Sequence, residues 1–181
     1  AIAADNKNAI YISGEMEKIL DGNISKGGSD IFLLKISQMG PKLWFKTFRS
    51  RLDEFGTAIA IQSDKAVAIV GYILEKESTR NLGKETKDAF VSKYDSKGDL
   101  EWMKVLKGNN SEQSTVSLWT PDGDLLVAGF TKSSLRGESY IGKEDVFLAK
   151  FDISSVKEAA TALAPEIVSL GKIKLLLSLP G

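Results

Sequence analysis

Short apolar runs alternate with polar turns along the chain, and the same series of runs comes round three times. "AIAA" (Ala1–Ala4), "TAIAI" (Thr57–Ile61) and "TVSLW" (Thr115–Trp119) each predict a first strand. The turns "DNKN", "QSDK" and "PDGD" follow. The last carries Asp122-Gly123, a dipeptide suited to the positive φ of a tight hairpin. A second strand reads "AIYISG", "AVAIVG" or "LLVAG", and a third reads "DIFLLKI", "DAFVSKY" or "DVFLAKF". In the first two units, "SQMGPK" and "DSKGDL" turn into a fourth strand, "LWFKTF" or "EWMKVL". A polar stretch of about 14 to 16 residues separates second and third strands, longer than most connections.

The units align on an Asp before a Phe. Asp30, Asp88 and Asp145 lie 58 and 57 residues apart. Phe32, Phe90 and Phe147 follow at two residues, and Lys35, Lys93 and Lys150 at five. Gly14, Gly71 and Gly129 precede them. The first two units add Gly40 and Gly98, then Trp44 and Trp102. Agreement at six offsets marks a true internal repeat.

Second and third strands are almost continuously apolar, where a sheet with one wet face would alternate. The prediction is therefore an all-β chain of four-stranded antiparallel sheets covered on both faces, which describes β-propeller blades. A stacked β-solenoid is the rival, but its coils are shorter and its strands parallel. Ala58, Ala60, Ala66 and Ala68 suit inner strands crowded near an axis. The expected units are a blade over 1–56, a second over 57–114 and an incomplete third over 115–155.

A divergent tail, 156–181, has no aromatic residue and no anchor. Within the text after Asp152, "SVKEAATALA" reads as a helix limited by Pro165, and "KIKLLLSL" fits a strand. Three blades are fewer than the about four to eight of a closed propeller. An open partial propeller is expected, as a portion of a longer chain or one that closes by association. The tail is then foreign, divergent or a cap over a bare blade edge.

"GGSDIFLLKISQMGPKLW" and "KDAFVSKYDSKGDLEW", preceded by "YISG" and "AIVG", resemble the bacterial SBBP-type β-propeller repeat. The likeness covers residues 1 to about 152. It implies blade architecture and a secreted or surface-associated setting, and it brings no common catalytic residue. The first copy departs with Ser37 and Gln38 where the second has Asp95 and Ser96; the third has Ser155 and Ala159 in place of Gly and Trp.

Composition narrows the chemistry. With no Cys there are no disulfides, thiolate nucleophiles or Cys-held metals, and with no His the usual base near neutral pH is missing. Catalysis would fall to carboxylates, Lys, Tyr or Ser, and a metal would have to be a hard cation on oxygen ligands. Lys+Arg and Asp+Glu both number 24 and are scattered, so no basic stripe favours nucleic acid. No apolar run reaches the roughly 20 residues of a membrane helix. The chain opens at Ala1, in a strand-like run without Met or signal segment, and reads as a processed or excised piece.

Candidate chemistry was weighed against structural roles. Asp30, Asp88 and Asp145 lack the alternating carboxylates of an EF-hand, and carboxylates accepting backbone bonds where a strand begins explain them better. Their recurrence, like that of Lys35, Lys93 and Lys150, argues for structure, because a site usually occurs once. The lysines are expected to pair with carboxylates on the neighbouring blade or to reach the edge. Trp44 and Trp102 suit packing between blades. Trp119 has no counterpart and is a candidate ligand contact. "DSKGDLEW" is close to the Asp-box of sialidase propellers, but both spacings are one residue longer.

The loops between second and third strands differ while their flanks agree, the usual signature of recognition on a rigid scaffold. Their Arg80, Arg136 and Tyr140 are candidate contacts for protein or carbohydrate. The expectation is a non-catalytic binding or scaffolding module, without cofactor, metal or nucleic-acid partner, secreted or at the cell surface. A carboxylate-dependent propeller hydrolase or lyase is the alternative, and a purely structural spacer is another.

Overall fold

The computed structural model describes residues 1–16, 28–48, 52–63, 65–75, 85–135 and 143–152, together with the backbone of 173–180. It is all-β, with no helix among the described residues. Sheet one joins β1 (Ile2–Ala4), β2 (Ile10–Met16), β3 (Asp30–Ile36) and β4 (Lys42–Phe48). Sheet two joins β5 (Asp53–Gln62), β6 (Ala66–Glu75), β7 (Thr86–Asp95) and β8 (Leu100–Leu106). Sheet three joins β9 (Glu112–Trp119), β10 (Leu125–Thr131), β11 (Asp145–Phe151) and β12 (Ile173–Pro180). Each is an antiparallel meander in chain order.

The third sheet is complete. Its fourth strand, β12, comes from the tail and pairs with β11 from Asp145↔Pro180 to Phe151↔Ile173. Alignment on anchors could not find it, because β12 has no Trp; pairing requires only free backbone and a strand-forming run. The helix expected over "SVKEAATALA" lies outside the described residues.

The predicted starts of the second and third units, at 57 and 115, fall inside β5 and β9. A β-bulge is the reason. Register in β5–β6 passes from Gly56↔Gly71 to Ala58↔Val70, skipping Thr57. In β9–β10 it passes from Ser114↔Gly129 to Val116↔Ala128, skipping Thr115. The extra residue shifts the side-chain alternation, so the strand reads as if it began after the bulge. Each bulged Thr ties its hydroxyl across the hairpin: Thr57 Oγ1 donates to Val70 O at 3.1 Å and Thr115 Oγ1 to Ala128 O at 3.3 Å.

The three sheets stack face to face around two cores. Between sheets one and two, Tyr11, Ile31 and Leu33 meet Val67, Ile69, Phe90 and Tyr94. Between sheets two and three, Val70, Val91 and Leu106 meet Leu125, Val127, Phe147 and Phe151. Ala58, Ala60 and Ala68 belong to this second contact, where their small side chains let β9 come close across sheet two. The coverage of both faces expected from the apolar runs therefore holds for the middle sheet, where β6 is buried without a break from Ala66 to Gly71. Among the described residues, the two outer sheets each have one face covered by another sheet.

The anchors Gly and Phe are a single device. They sit directly opposite each other in register: Gly14↔Phe32, Gly71↔Phe90 and Gly129↔Phe147. Opposite a Gly, the ring can lie down over the neighbouring strand. At Gly71 and Gly129 the bulge also brings backbone close: a Cβ there would lie 1.8 Å from Phe55 O and 2.0 Å from Gln113 O. The turns repeat as faithfully, with Gly40, Gly98 and Gly123 at φ of 99°, 80° and 91°. Gly123 N donates to Thr120 O at 3.0 Å, the hairpin expected from Asp122-Gly123.

These contacts rank the glycines. Gly71→Ala is expected to cost about 3 kcal/mol, because its clash is with backbone that cannot step aside. Gly14→Ala, whose Cβ would meet only the end of the Phe32 ring on an open face, is expected to cost about 1 kcal/mol. Urea unfolding of the two variants beside the parent chain measures both, and equal losses would contradict the ranking.

Candidate functional site

The repeated lysine anchors are engaged within their own sheets. Lys35 Nζ lies 3.6 Å from Asp5 Oδ2 and 4.7 Å from the centre of the Tyr11 ring. Lys150 Nζ lies 2.5 Å from Asp124 Oδ2, and Lys93 pairs with Glu101. Asp5 and Asp124 sit in the first turn of their own sheets, and Glu101 is on β8 beside β7. Of the two expectations, a partner on the neighbouring blade or a reach to the edge, the first is not seen. The partners are in the same sheet, because an ammonium near the strand's end meets its own turn or the adjacent strand before the next sheet. Lys150 remains 40% exposed.

Asp5 also accepts backbone bonds from Lys7 N and Ala9 N, both at 2.9 Å. Burial pushes its carboxyl up, but these donors, Lys35 and Tyr11 outweigh it and hold the pKa below the ordinary value. Trp44 and Trp102 pack against the two cores, Trp102 stacked on Phe151 of the next sheet at 6.0 Å.

Asp30, Asp88 and Asp145 are all buried where the third strand begins. Asp88 Oδ2 is 2.6 Å from Lys107 Nζ, which also meets Glu75 Oε1 at 2.6 Å. Burial alone would lower the Lys107 pKa, and the two carboxylates reverse this and raise it. Beside them Glu112 is fully buried. Its Oε1 accepts from Ser133 Oγ at 2.6 Å and Thr131 Oγ1 at 3.3 Å, and its Oε2 from Gly108 N at 2.8 Å. Burial pushes its pKa up, opposed by those donors and helped by the charge of Asp88.

A buried Glu with a raised pKa is the usual look of a general acid. Glu54, 58 residues earlier, is equally buried at the equivalent place in β5, and that recurrence makes both part of the repeat. Sequence reading passed over the pair. The signal was present as Glu-x-x-Thr at 54/57 and 112/115, just upstream of where the units were taken to start.

Trp119 is the unrepeated feature. It closes the first hairpin of sheet three opposite Leu125, the place held by Ile61 opposite Val67 and by Ala4 opposite Ile10 in the other sheets. Its indole N–H donates to Ala60 O at 3.3 Å, so its polar atom is committed to the contact between sheets. The rest of the ring lines a shallow groove of about 360 Å³ with Ile61, Gln62, Lys65 and Pro121. The groove offers a ligand an aromatic edge, an amide and one ammonium. Arg80, Arg136 and Tyr140 lie outside the described residues. Among the described residues no three carboxylates gather as a metal site would require, and no helix is long and apolar enough to cross a membrane.

The loops themselves are outside the described residues, but their roots are placed. Glu54 N donates to Ser29 O and Ser29 N to Asp53 Oδ1, which sets the start of β5 beside the start of β3. Lys87 N donates to Ser111 Oγ at 3.2 Å, and Lys87 Nζ to Gln113 Oε1 at 3.1 Å, which sets the start of β9 beside the start of β7. The ends of β2, β6 and β10 therefore share one side of the stack, with the hairpin turns and the Trp119 groove on the other.

No family model matches the chain. It is similar to the regulatory protein FlaEY of Caulobacter vibrioides, 27% identical over 159 residues. That match takes in 79% of this chain and 17% of the relative, so the chain spans about a sixth of that protein's length.

Tyr94 gives the core between sheets one and two a pH signature. Burial, with the Glu54 charge adding and a bond with Ser92 opposing, pushes its phenol up to about 12 from 10.0. Because the folded value is the higher one, its contribution is complete below pH about 10 and lost as pH rises towards 12. Burial also raises Tyr11 and Tyr72, and tyrosinate absorbance is expected to lose its latest step, near pH 12, in Tyr94→Phe. A latest step that survives the substitution unchanged would assign it elsewhere.

Proposed function

We propose that the chain is a non-catalytic binding or scaffolding module of three propeller-type blades, with recognition carried by the loops between second and third strands. The supporting observation is a division of labour. Every repeated charged anchor with a defined partner is paired within its own sheet, while the segments that differ between repeats, around residues 17–27, 76–84 and 136–142, are rooted on one side of the stack. A rigid support presenting variable segments from a single side is the arrangement of a recognition surface. Arg80, Arg136 and Tyr140 give those segments the groups that suit protein or carbohydrate.

The likeness to SBBP-type repeats supports the blade reading and a secreted or surface setting. FlaEY is named a regulatory protein, and regulation by contact agrees with a module that binds and does not turn over substrate.

Replacing the three segments by Gly/Ser linkers of equal length is expected to leave the melting temperature within about 4 °C, since surface changes away from packed features cost little. Photo-crosslinking from positions 80 and 140 of the parent chain is expected to capture a protein or glycan ligand that the linker variant no longer binds. Turnover of a glycoside, ester or uronic-acid substrate, lost in Glu112→Gln while the fold persists, would overturn the reading in favour of a carboxylate enzyme.

A further inference from the structure

The outward faces of the first and third sheets are apolar and differ from each other in a defined way. Phe90 and Phe147 occupy the same repeat position, and each points to the preceding sheet and is fully buried there. Phe32 holds that position in sheet one, where it points outward, stacked on Phe45 at 5.8 Å and only half-buried. In the other direction, Ile31 and Leu33 of sheet one, and Ala89 and Val91 of sheet two, point to the following sheet and are buried by it. Val146 and Leu148 are their equivalents in sheet three and point outward. One outer face is thus of the kind that meets a following sheet, and the other is of the kind that meets a preceding sheet.

Both outer faces carry large apolar residues that single soluble sheets keep covered. On sheet three, Val116 is 57% and Leu118 54% exposed, with Phe130 and Val146 beside them. On sheet one, Ile2 is 69% exposed, with the half-buried Ile12, Leu34 and Phe45 in register beside it on the same face. A polar detail agrees. Thr57 Oγ1 donates not only across its own hairpin but also to Ser114 O of the following sheet, at 2.6 Å. Thr115 occupies the same bulge in sheet three, set to make the same link to a strand beyond it.

We infer that the outer face of sheet three docks the outer face of sheet one of a second copy of this chain, head to tail, repeating the contact that already joins sheets one to two and two to three. The inference rests on the reading of each sheet as one blade of a repeat. The occupant follows from continuity with those internal contacts: a second copy carries the face that each uncovered face lacks. Such a contact is heterologous, so it closes a ring if the rotation permits and grows otherwise. Two copies bring six sheets, within the about four to eight of closed propellers, so the expected species is a discrete dimer.

The test is solution mass by light scattering at high micromolar concentration, with Leu118→Lys on one face and Ile2→Lys on the other. Twice the chain mass is expected for the parent. Each variant alone is expected to be monomeric, and an equimolar mixture is expected to regain the dimer, because each variant keeps the face the other has lost. Val116→Lys and Leu34→Lys, on the same two faces, replace either variant that circular dichroism shows unfolded. A ladder of larger species that either substitution abolishes and mixing restores as a dimer also supports the contact. A monomeric parent chain overturns it, and so does a variant that stays dimeric alone, which would mean like faces pairing. Either failure leaves loop-borne binding to its own crosslinking test.

Discussion

The stack depends on how closely one sheet can approach the next, and a Gly opposite a Phe sets that distance. A ring standing upright from a strand would hold sheets apart; a ring lying over a residue without a side chain does not. Phe90 and Phe147 are consequently buried to nothing while still spanning the contact. The bulge at Thr57 and Thr115 belongs to the same constraint, because it carries Phe55 O and Gln113 O into the space a Cβ would need. Glycine is required there by a close backbone approach, whereas at Gly40, Gly98 and Gly123 it is required by a positive φ. The repeat thus uses one residue type for two physical reasons.

Close approach makes buried charge expensive, and the chain meets that cost locally. Lys35, Lys93 and Lys150 find carboxylates in their own sheets, so no sheet relies on its neighbour to neutralise an anchor. Glu112 is held by two hydroxyls and a backbone N–H, with Lys107 bound to Asp88 close by. Partners supplied in this way limit the desolvation penalty without needing a charge from another layer. The links that cross between sheets include an exposed ion pair, Lys46 Nζ to Asp99 Oδ1 at 2.6 Å. They also include Lys87 Nζ on Gln113 Oε1, a hydroxyl from Thr57, an indole N–H from Trp119 and apolar contact. Within the two cores the layers are joined by apolar area and neutral bonds, and the Lys46–Asp99 pair sits at the solvent-exposed margin.

How much of this was legible varied with the physics of each element. The strands at Asp30–Ile36 and Asp145–Phe151 could be read to the residue, because an Asp begins them and a continuous apolar run follows. The hairpin at Asp122-Gly123 was legible because φ requirements act through single residues. The starts of β5 and β9 were not, since a bulge breaks the alternation that defines a strand on paper. Nor was the place of β12 in its sheet, which depends on an open edge of β11 and on no motif. Glu54 and Glu112 escaped notice because a lone Glu in a strand says nothing until its burial is known. Lys35, Lys93 and Lys150 could be recognised as structural from recurrence, but the choice of partner is a matter of reach, and spacing along one strand cannot supply it.

Recurrence is also what separates support from recognition. A side chain that returns at every repeat answers a demand that returns at every repeat: closing a turn, covering a core, neutralising a charge. By that criterion the acidic residues around Lys107, despite a buried Glu with a raised pKa, belong largely to the support, since Asp88 and Glu112 have counterparts in other units. Trp119 does not return, yet its indole N–H is spent on Ala60 O, which leaves only a ring edge for a ligand in a shallow groove. The segments following β2, β6 and β10 do not return either, and their roots are fixed by bonds such as Glu54 N to Ser29 O and Lys87 N to Ser111 Oγ. Variation without a structural debt is the condition under which a surface is free to be specific. The proposed recognition therefore falls to the loop side of the stack, with the hairpin side holding the sheets in step.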